Sequence, residues 1–225
     1  MKPKNITELK DKYLNEDIYI IASGGSMNYI DPSFFDGKIT IGINQAYKKF
    51  DCTYLVRKEV KFIKPSLDTG AIVIVSEFDS GNLNSGDHKL NTNKVSHKNL
   101  YYFEHLDNEH TQVDVNIIHP DSNKIVVSFS TVTSAMHLAA YMGAFNIIIC
   151  GHDAGLVDGK MNFDGYFSDI KDTPWQNWEQ YRNWLKVIEG QTIAVKNKLI
   201  DVYDINIVSL NPFINFGLEG HKYER

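Results

Sequence analysis

Residues 130–153 read STVTSAMHLAAYMGAFNIIICGHD, and this stretch decides the fold class. Ser130-Thr131-Val132-Thr133-Ser134 is a run of small side chains, mostly hydroxyls. Such residues open helices, because a Ser or Thr oxygen accepts a hydrogen bond from an otherwise orphaned N–H of the first turn. Ala135 to Met142 continues as a helix, and Gly143 ends it. Asn146 to Cys150 is then the most emphatic strand pattern in the chain, apolar without a break from Ile147, as expected of a strand buried on both faces. A helix leading straight into such a strand implies a crossover unit and a parallel sheet. The strand ends in Gly151-His152-Asp153, a polar cluster where open α/β sheets carry their sites.

Working outward, Asp17 to Ala22 is a second buried-strand pattern, followed at once by Ser23-Gly24-Gly25-Ser26 and, over Met27 to Phe35, a helical turn. Lys38 to Ile43 reads as a strand ending in Asn44-Gln45, and Cys52 to Val56 as one ending in Arg57. Ala71 to Val75, Leu100 to Phe103, Val113 to Ile118, Ile125 to Phe129 and Ile205 to Leu210 complete the strand candidates. Ile6 to Leu14 is a short amphipathic pattern. Pro174 to Tyr203 carries a helical period that Gly190 is expected to break in two. The spacing of Trp175, Trp178, Tyr181 and Trp184 suits core packing. Glu77 to Lys98 reads as a long loop, and residues 211–225 as a tail closing near the site. The sum is a single Rossmann-like α/β domain over residues 1–225, with a mostly parallel sheet, helices on both faces and a lid-like loop region at 154–175.

The 225 residues carry a net charge of -5 and no long Lys/Arg block, so nucleic acid is not an expected partner. The start of the chain is polar, and no apolar run approaches the roughly 20 residues of a membrane span. Any membrane association is expected to be peripheral at most. Cys52 and Cys150 lie in apolar strand-like runs, as buried free thiols of a reducing compartment do, and a cytoplasmic location follows as the expectation. A homo-oligomer stays open. His88, His97, His105, His110 and His119 share no ligand spacing, so no metal site is expected.

Several strand ends carry candidate chemistry, each with a structural alternative. The loop Ser23-Gly24-Gly25-Ser26 fits either a phosphate approached by backbone N–H groups or an ordinary tight turn. The amides of Asn44 and Gln45 fit either a ligand contact or a turn. Ser130, Thr131 and Thr133 cap a helix whether or not they also hold a phosphate. His152 and Asp153 form a titratable pair suited to general-base work, or else Asp153 orders its loop. Phe163 and Tyr166 are the aromatic candidates for ligand contact.

Together these segments resemble the sialyltransferases of glycosyltransferase family 42 and the related motility-accessory-factor type glycosyltransferases. Ile20 to Met27 is similar to the family's opening strand and G-x-G/P-S-L loop, and Ile43-Asn44-Gln45 with Tyr47 to its C-N-Q-F/Y element. Thr131 to Gly143 followed by Asn146 to Asp153 resembles its T-S-G helix, A-L-G turn and I-x-L-S-G-I-D strand end. The resemblance implies transfer of a sialic or related nonulosonic acid from a CMP-activated donor to a saccharide acceptor, with no cofactor required. It places the nucleotide over Gly24, Gly25 and Ser26, in contact with Asn44, Ser130 and Thr131, and has the aromatic loop after Asp153 close on the donor phosphate.

The family's catalytic His has no counterpart here, since Ile188-Glu189-Gly190-Gln191 stands in its place. Glu189, His152 and Asp153 are therefore the candidate bases. Arg57 is the candidate cation where the family's Arg is replaced by Ser128, and Phe163 and Tyr166 approximate the phosphate-binding tyrosines. Two alternatives remain: a Mg-dependent pterin pyrophosphokinase-like transfer using Asp153, Asp158 and Asp164, and a non-catalytic nucleotide or sugar binder.

Overall fold

The computed structural model describes residues 3–57, 62–76, 97–106, 112–166, 178–210 and 223–224. Its strands are β1 (Lys4–Asn5), β2 (Asp17–Ile21), β3 (Ile39–Ile43), β4 (Tyr54–Arg57), β5 (Ile72–Ser76), β6 (Leu100–His105), β7 (Lys124–Ile125), β8 (Asn146–Cys150), β9 (Leu156–Val157), β10 (Asn206–Ser209) and β11 (Tyr223–Glu224). The helices are α1 (Ile63–Leu67), α2 (Thr131–Tyr141) and α3 (Trp178–Tyr203). Among the described residues one sheet takes the order β1-β6-β5-β4-β3-β2-β8-β10, with β7 also beside β6. Every pairing in it is parallel. From β2 the chain steps through β3, β4, β5 and β6 to one side, whereas β8 and β10 lie on the other. The two sides therefore diverge between β2 and β8, the topological switch point at which such sheets leave a crevice.

The apolar runs are divided between two faces by the two-residue period of a strand. Ile18 and Ile20 of β2, and Ile147 and Ile149 of β8, join one core together with α2. Their neighbours Ile21, Ile148 and Cys150 join a second core on the opposite face, with Met27, Phe35 and Phe163. Leu55, Val73 and Val75 continue that face against Ile63 of α1. The long helices share one face: α2 is buried along its whole length between the sheet and α3, where Val195 and Leu199 are fully covered. The opposite face is covered by α1 and short 3-10 turns, including Gly25–Tyr29 and Pro32–Phe35.

His137, inside α2, accepts a hydrogen bond from the Val126 N–H at 3.0 Å on Nδ1, and its Nε2 lies 3.1 Å from the Tyr203 hydroxyl. It thus ties α2 to the chain after β7 and to the end of α3. Burial pushes its pKa down to about 3, so the ring is neutral. Burial also pushes the Cys52 and Cys150 thiols up to about 12, which leaves both free cysteines protonated and unreactive at neutral pH. No helix among the described residues is long and apolar enough to cross a membrane.

Several sequence expectations are corrected. Val115–Ile117 is a 3-10 turn capped by Asp114, not a strand, because the Asp side chain accepts from the Asn116 N–H and closes the chain locally. Only the first residue of the Ile125 to Phe129 candidate is strand; Val126 and Val127 run on buried, without a ladder. Ile6–Leu9 forms a 3-10 turn, and β1 just before it was not anticipated. Most of the loop expected over Glu77 to Lys98 lies outside the described residues.

Gly190 does not divide the last helix. It occupies an exposed position of the continuous α3, where an added Cβ meets nothing within 4 Å. Its cost is only the backbone entropy of a helical glycine. Gly190→Ala is accordingly expected to stabilise the fold by about 0.5–1 kcal/mol in urea unfolding, whereas a glycine serving as a break would be destabilised by the same change.

Candidate functional site

At the carboxyl ends of β2 and β8 the backbone ladder runs past the strands. The Ala22 N–H donates to the Cys150 carbonyl at 2.8 Å, and the Gly24 N–H to the Gly151 carbonyl at 2.7 Å. The loops then part, and the Asp153 carboxylate spans them. It accepts from the Ser26 N–H at 2.8 Å and from the Ser26 hydroxyl at 2.6 Å. Asp153 is 3 % exposed. Close packing in and around this clamp accounts for three glycines. A Cβ on Gly24 would lie 2.4 Å from Asp153 Oδ2 and 2.5 Å from the Gly151 carbonyl oxygen. One on Gly25 would lie 2.8 Å from the Lys160 carbonyl oxygen. Gly151 itself has φ +72°, and its Cβ would meet Met27. The glycines are thus required by the protein's own close packing, and Ser26 turns its N–H and hydroxyl to Asp153.

Beside the clamp lies an open crevice of about 230 Å³, just below the roughly 300–1,000 Å³ of small-molecule sites. Its lining includes the expected residues Ser23, Gly24, Asn44, Gly151, His152 and Asp153, with Ser130 at the start of α2. Asn44 adopts the left-handed φ of +52°, a conformation Asn tolerates better than most residues. It accepts on Oδ1 from the Thr131 hydroxyl at 3.4 Å, which links the end of β3 to the first turn of α2. The Ser130 hydroxyl caps α2 by accepting from the Val132 N–H. The eleven-residue helix therefore turns its positive dipole end to the crevice.

Other expected residues stand elsewhere. Thr133 is fully buried inside the cap, its hydroxyl 2.8 Å from both the Ser130 carbonyl and the Ser128 hydroxyl. Gly25, Ser26, Gln45 and Glu189 do not line the crevice. Arg57 is buried at the end of β4, with its guanidinium 4.6 Å from the Phe62 ring centroid, and it too lies off the crevice lining. Phe163 is core, packed on Phe50 and Tyr166, because its N–H donates to the Ser23 carbonyl and turns the ring inward. Tyr166 does line the crevice. Asp158 is bonded by Tyr29 and Asp164 by Lys160, so neither converges with Asp153. No group of three metal-ligating side chains occurs among the described residues.

The segment after Asp153, expected as a lid, is fastened over its described part. Asn162 Nδ2 donates to the Ser23 hydroxyl at 3.0 Å, and the Asp164 N–H donates to Asn28 Oδ1 at 2.9 Å. β11 returns the end of the chain to pair antiparallel with β9. Residues 167–175, and the tail at 211–222, lie outside the described residues, as does Trp175.

Sequence reasoning missed Asn162, Phe129 and the inward side of α3. Tyr181 and Trp184, expected in the core, face the crevice together with Leu185 and Ile188. Leu185 and Ile188 are the i+4 partners of Tyr181 and Trp184, and that spacing was the available signal. Thr192, one turn beyond Ile188, sits 3.1 Å from His152 Nε2.

Burial moves the two adjacent titratable groups in opposite directions. It pushes His152 down to about 4, and it pushes Asp153 up to about 6 although the Ser26 hydrogen bonds favour its ionised form. The folded chain therefore holds the Asp153 proton more tightly than the unfolded chain does. Its contribution to stability is full below its ordinary value of 3.8 and is lost as pH rises through about 6.

Asp153→Asn preserves both contacts, since the amide oxygen accepts from the Ser26 N–H and the amide N–H donates to the Ser26 oxygen. The melting temperature of Asp153→Asn relative to the wild type is expected to climb between about pH 4 and pH 7. A flat difference across that range would remove the buried-charge account of Asp153. Gly24→Ala, facing backbone that cannot turn aside, is expected to cost about 1–3 kcal/mol or more in chemical unfolding.

Comparison with protein-family models, curated proteins and solved structures finds no match to this chain.

Proposed function

We propose that the chain is a sialyltransferase-like glycosyltransferase that moves a sialic or related nonulosonic acid from a CMP-activated donor to a saccharide hydroxyl. One observation carries this reading: Ser23-Gly24, Asn44, Ser130 and Gly151-His152-Asp153, scattered over 130 positions of sequence, line a single crevice at the switch point of a parallel sheet. These are the segments on which the family resemblance rests.

The proposed donor carries two separated negative charges, the phosphodiester and the sugar carboxylate, fewer than a nucleoside triphosphate. No Lys or Arg lines the crevice among the described residues, and a buried carboxylate borders it, so a polyphosphate would meet little compensation there. The start of α2 offers a dipole of the right sign for a single departing phosphate. In the transfer, the acceptor oxygen bonds to the anomeric carbon as the carbon–oxygen bond to CMP breaks. The bonding pair leaves with the phosphate, and the acceptor proton passes to a base.

Asp153 suits the last role, since a pKa near 6 leaves it mostly ionised at neutral pH and still basic enough to accept a proton. His152, held neutral against Thr192 and pushed to about 4, is the weaker base and orients the floor.

The test is calorimetric titration of the protein with CMP, UDP and ATP, with and without Mg²⁺. Metal-independent binding of CMP that Asn44→Ala weakens by about tenfold or more is the expected result. Preference for ATP with Mg²⁺ would turn the assignment to the pterin pyrophosphokinase-like reaction, and no binding of any of the three would sink both. In a donor-hydrolysis or transfer assay kcat/KM is expected to rise with pH through about 6. Asp153→Asn is expected to lower it by about 10²–10⁴-fold, the usual range for a lost general base.

A further inference from the structure

The crevice lining carries two unlike chemistries. Ser23, Asn44, Ser130 and Asn162 offer hydroxyls and amides, whereas Phe129, Tyr181 and Trp184 offer rings. The ring wall is built. Phe129 packs against Trp184 with centroids 4.5 Å apart and planes at 63°. Its backbone N–H donates to Gln191 Oε1 at 3.1 Å, so it is attached to α3 at two points two turns apart. Tyr181 and Trp184 are only half-buried, although Leu185, Val195 and Leu199 of the same helix are buried. We propose that Phe129, Tyr181 and Trp184 form a stacking wall for a pyranose ring of the acceptor saccharide, an assignment that rests on the transferase reading above.

A pyranose has the matching polarity. One face presents C–H groups, which pack on the flat of an aromatic ring, and its hydroxyls need amide and hydroxyl partners such as those in the same lining. The absence of Lys and Arg from the lining among the described residues suits a neutral ring at this wall. Position along α3 sets the rings apart from His152. Thr192 meets His152, and Trp184 stands eight residues, about 12 Å, nearer the start of the helix.

The test titrates methyl β-galactopyranoside, methyl β-glucopyranoside and methyl α-mannopyranoside into CMP-saturated protein by calorimetry, following tryptophan fluorescence in parallel. At least one pyranoside is expected to bind and shift the fluorescence. Trp184→Leu, which keeps apolar bulk against Phe129 but lacks a ring, is expected to weaken that pyranoside by about tenfold or more while the Kd for CMP changes less than about twofold. Trp184→Phe is expected to restore most of the binding, and Tyr181→Ala, at a half-exposed position, tests the wall without touching the Phe129 contact. Failure of all three pyranosides to bind CMP-loaded protein overturns the proposal. So does a Trp184→Leu variant that loses CMP as strongly as the sugar, since the wall would then serve the nucleoside. If the wild type binds no CMP, the transferase reading fails and this assignment falls with it.

Discussion

The parallel pairing of β2 with β8, in register from Asp17 opposite Asn146 to Ile21 opposite Cys150, is the constraint on which the remaining architecture depends. It places two chains side by side whose continuations must travel in opposite directions. Beyond the last ladder bonds they part, and the gap has to be filled by side chains or ligand. The Asp153 carboxylate fills part of it and holds the two loops together through Ser26. The crevice is what remains, bounded by the end of β3, the start of α2 and the inner side of α3.

Much of this was legible in the sequence, and the reason is local. Residues 18–22 and 147–150 are apolar on both faces, so they read as buried parallel strands before any partner is known. The hydroxyl run at 130–134 and the glycine at 143 marked both ends of α2, although the helix already begins at Thr131, four residues before the expected Ala135, and its last residue is Tyr141 rather than Met142. The failures were tertiary. The glycines of residues 24 and 25 have the composition of a phosphate loop, yet the atoms that crowd them belong to Asp153 and Lys160, more than a hundred residues away. Nothing near them in sequence could reveal that. Trp184 was assigned to the core because hydrophobic period cannot tell a helix face packed on protein from one that walls a crevice. Phe163 went the other way, since its inward turn is set by a backbone bond to Ser23.

The neighbouring residues His152 and Asp153 illustrate how one environment produces two chemistries. Both lose water, and each is driven toward its uncharged form. For the imidazole that means neutrality at any physiological pH. For the carboxylate, whose two oxygens are met by Ser26, the effect stops near neutrality, where a proton is accepted and released at little cost. The sequence order Gly-His-Asp gave both residues as candidate bases, and only their surroundings set the two apart.

The β2–β8 pairing also has a consequence for biosynthesis. Ser26 and Asp153 are separated by 127 residues, so during translation β2 emerges long before its central partner exists. At about 5–20 residues per second, roughly ten seconds pass in which an all-apolar strand has β3 on one edge and nothing on the other. α2, which covers the sheet's face, is made equally late. The first half of the chain thus leaves the ribosome with an apolar strand edge unpaired, the kind of edge that invites pairing with another chain until the second half arrives to close it.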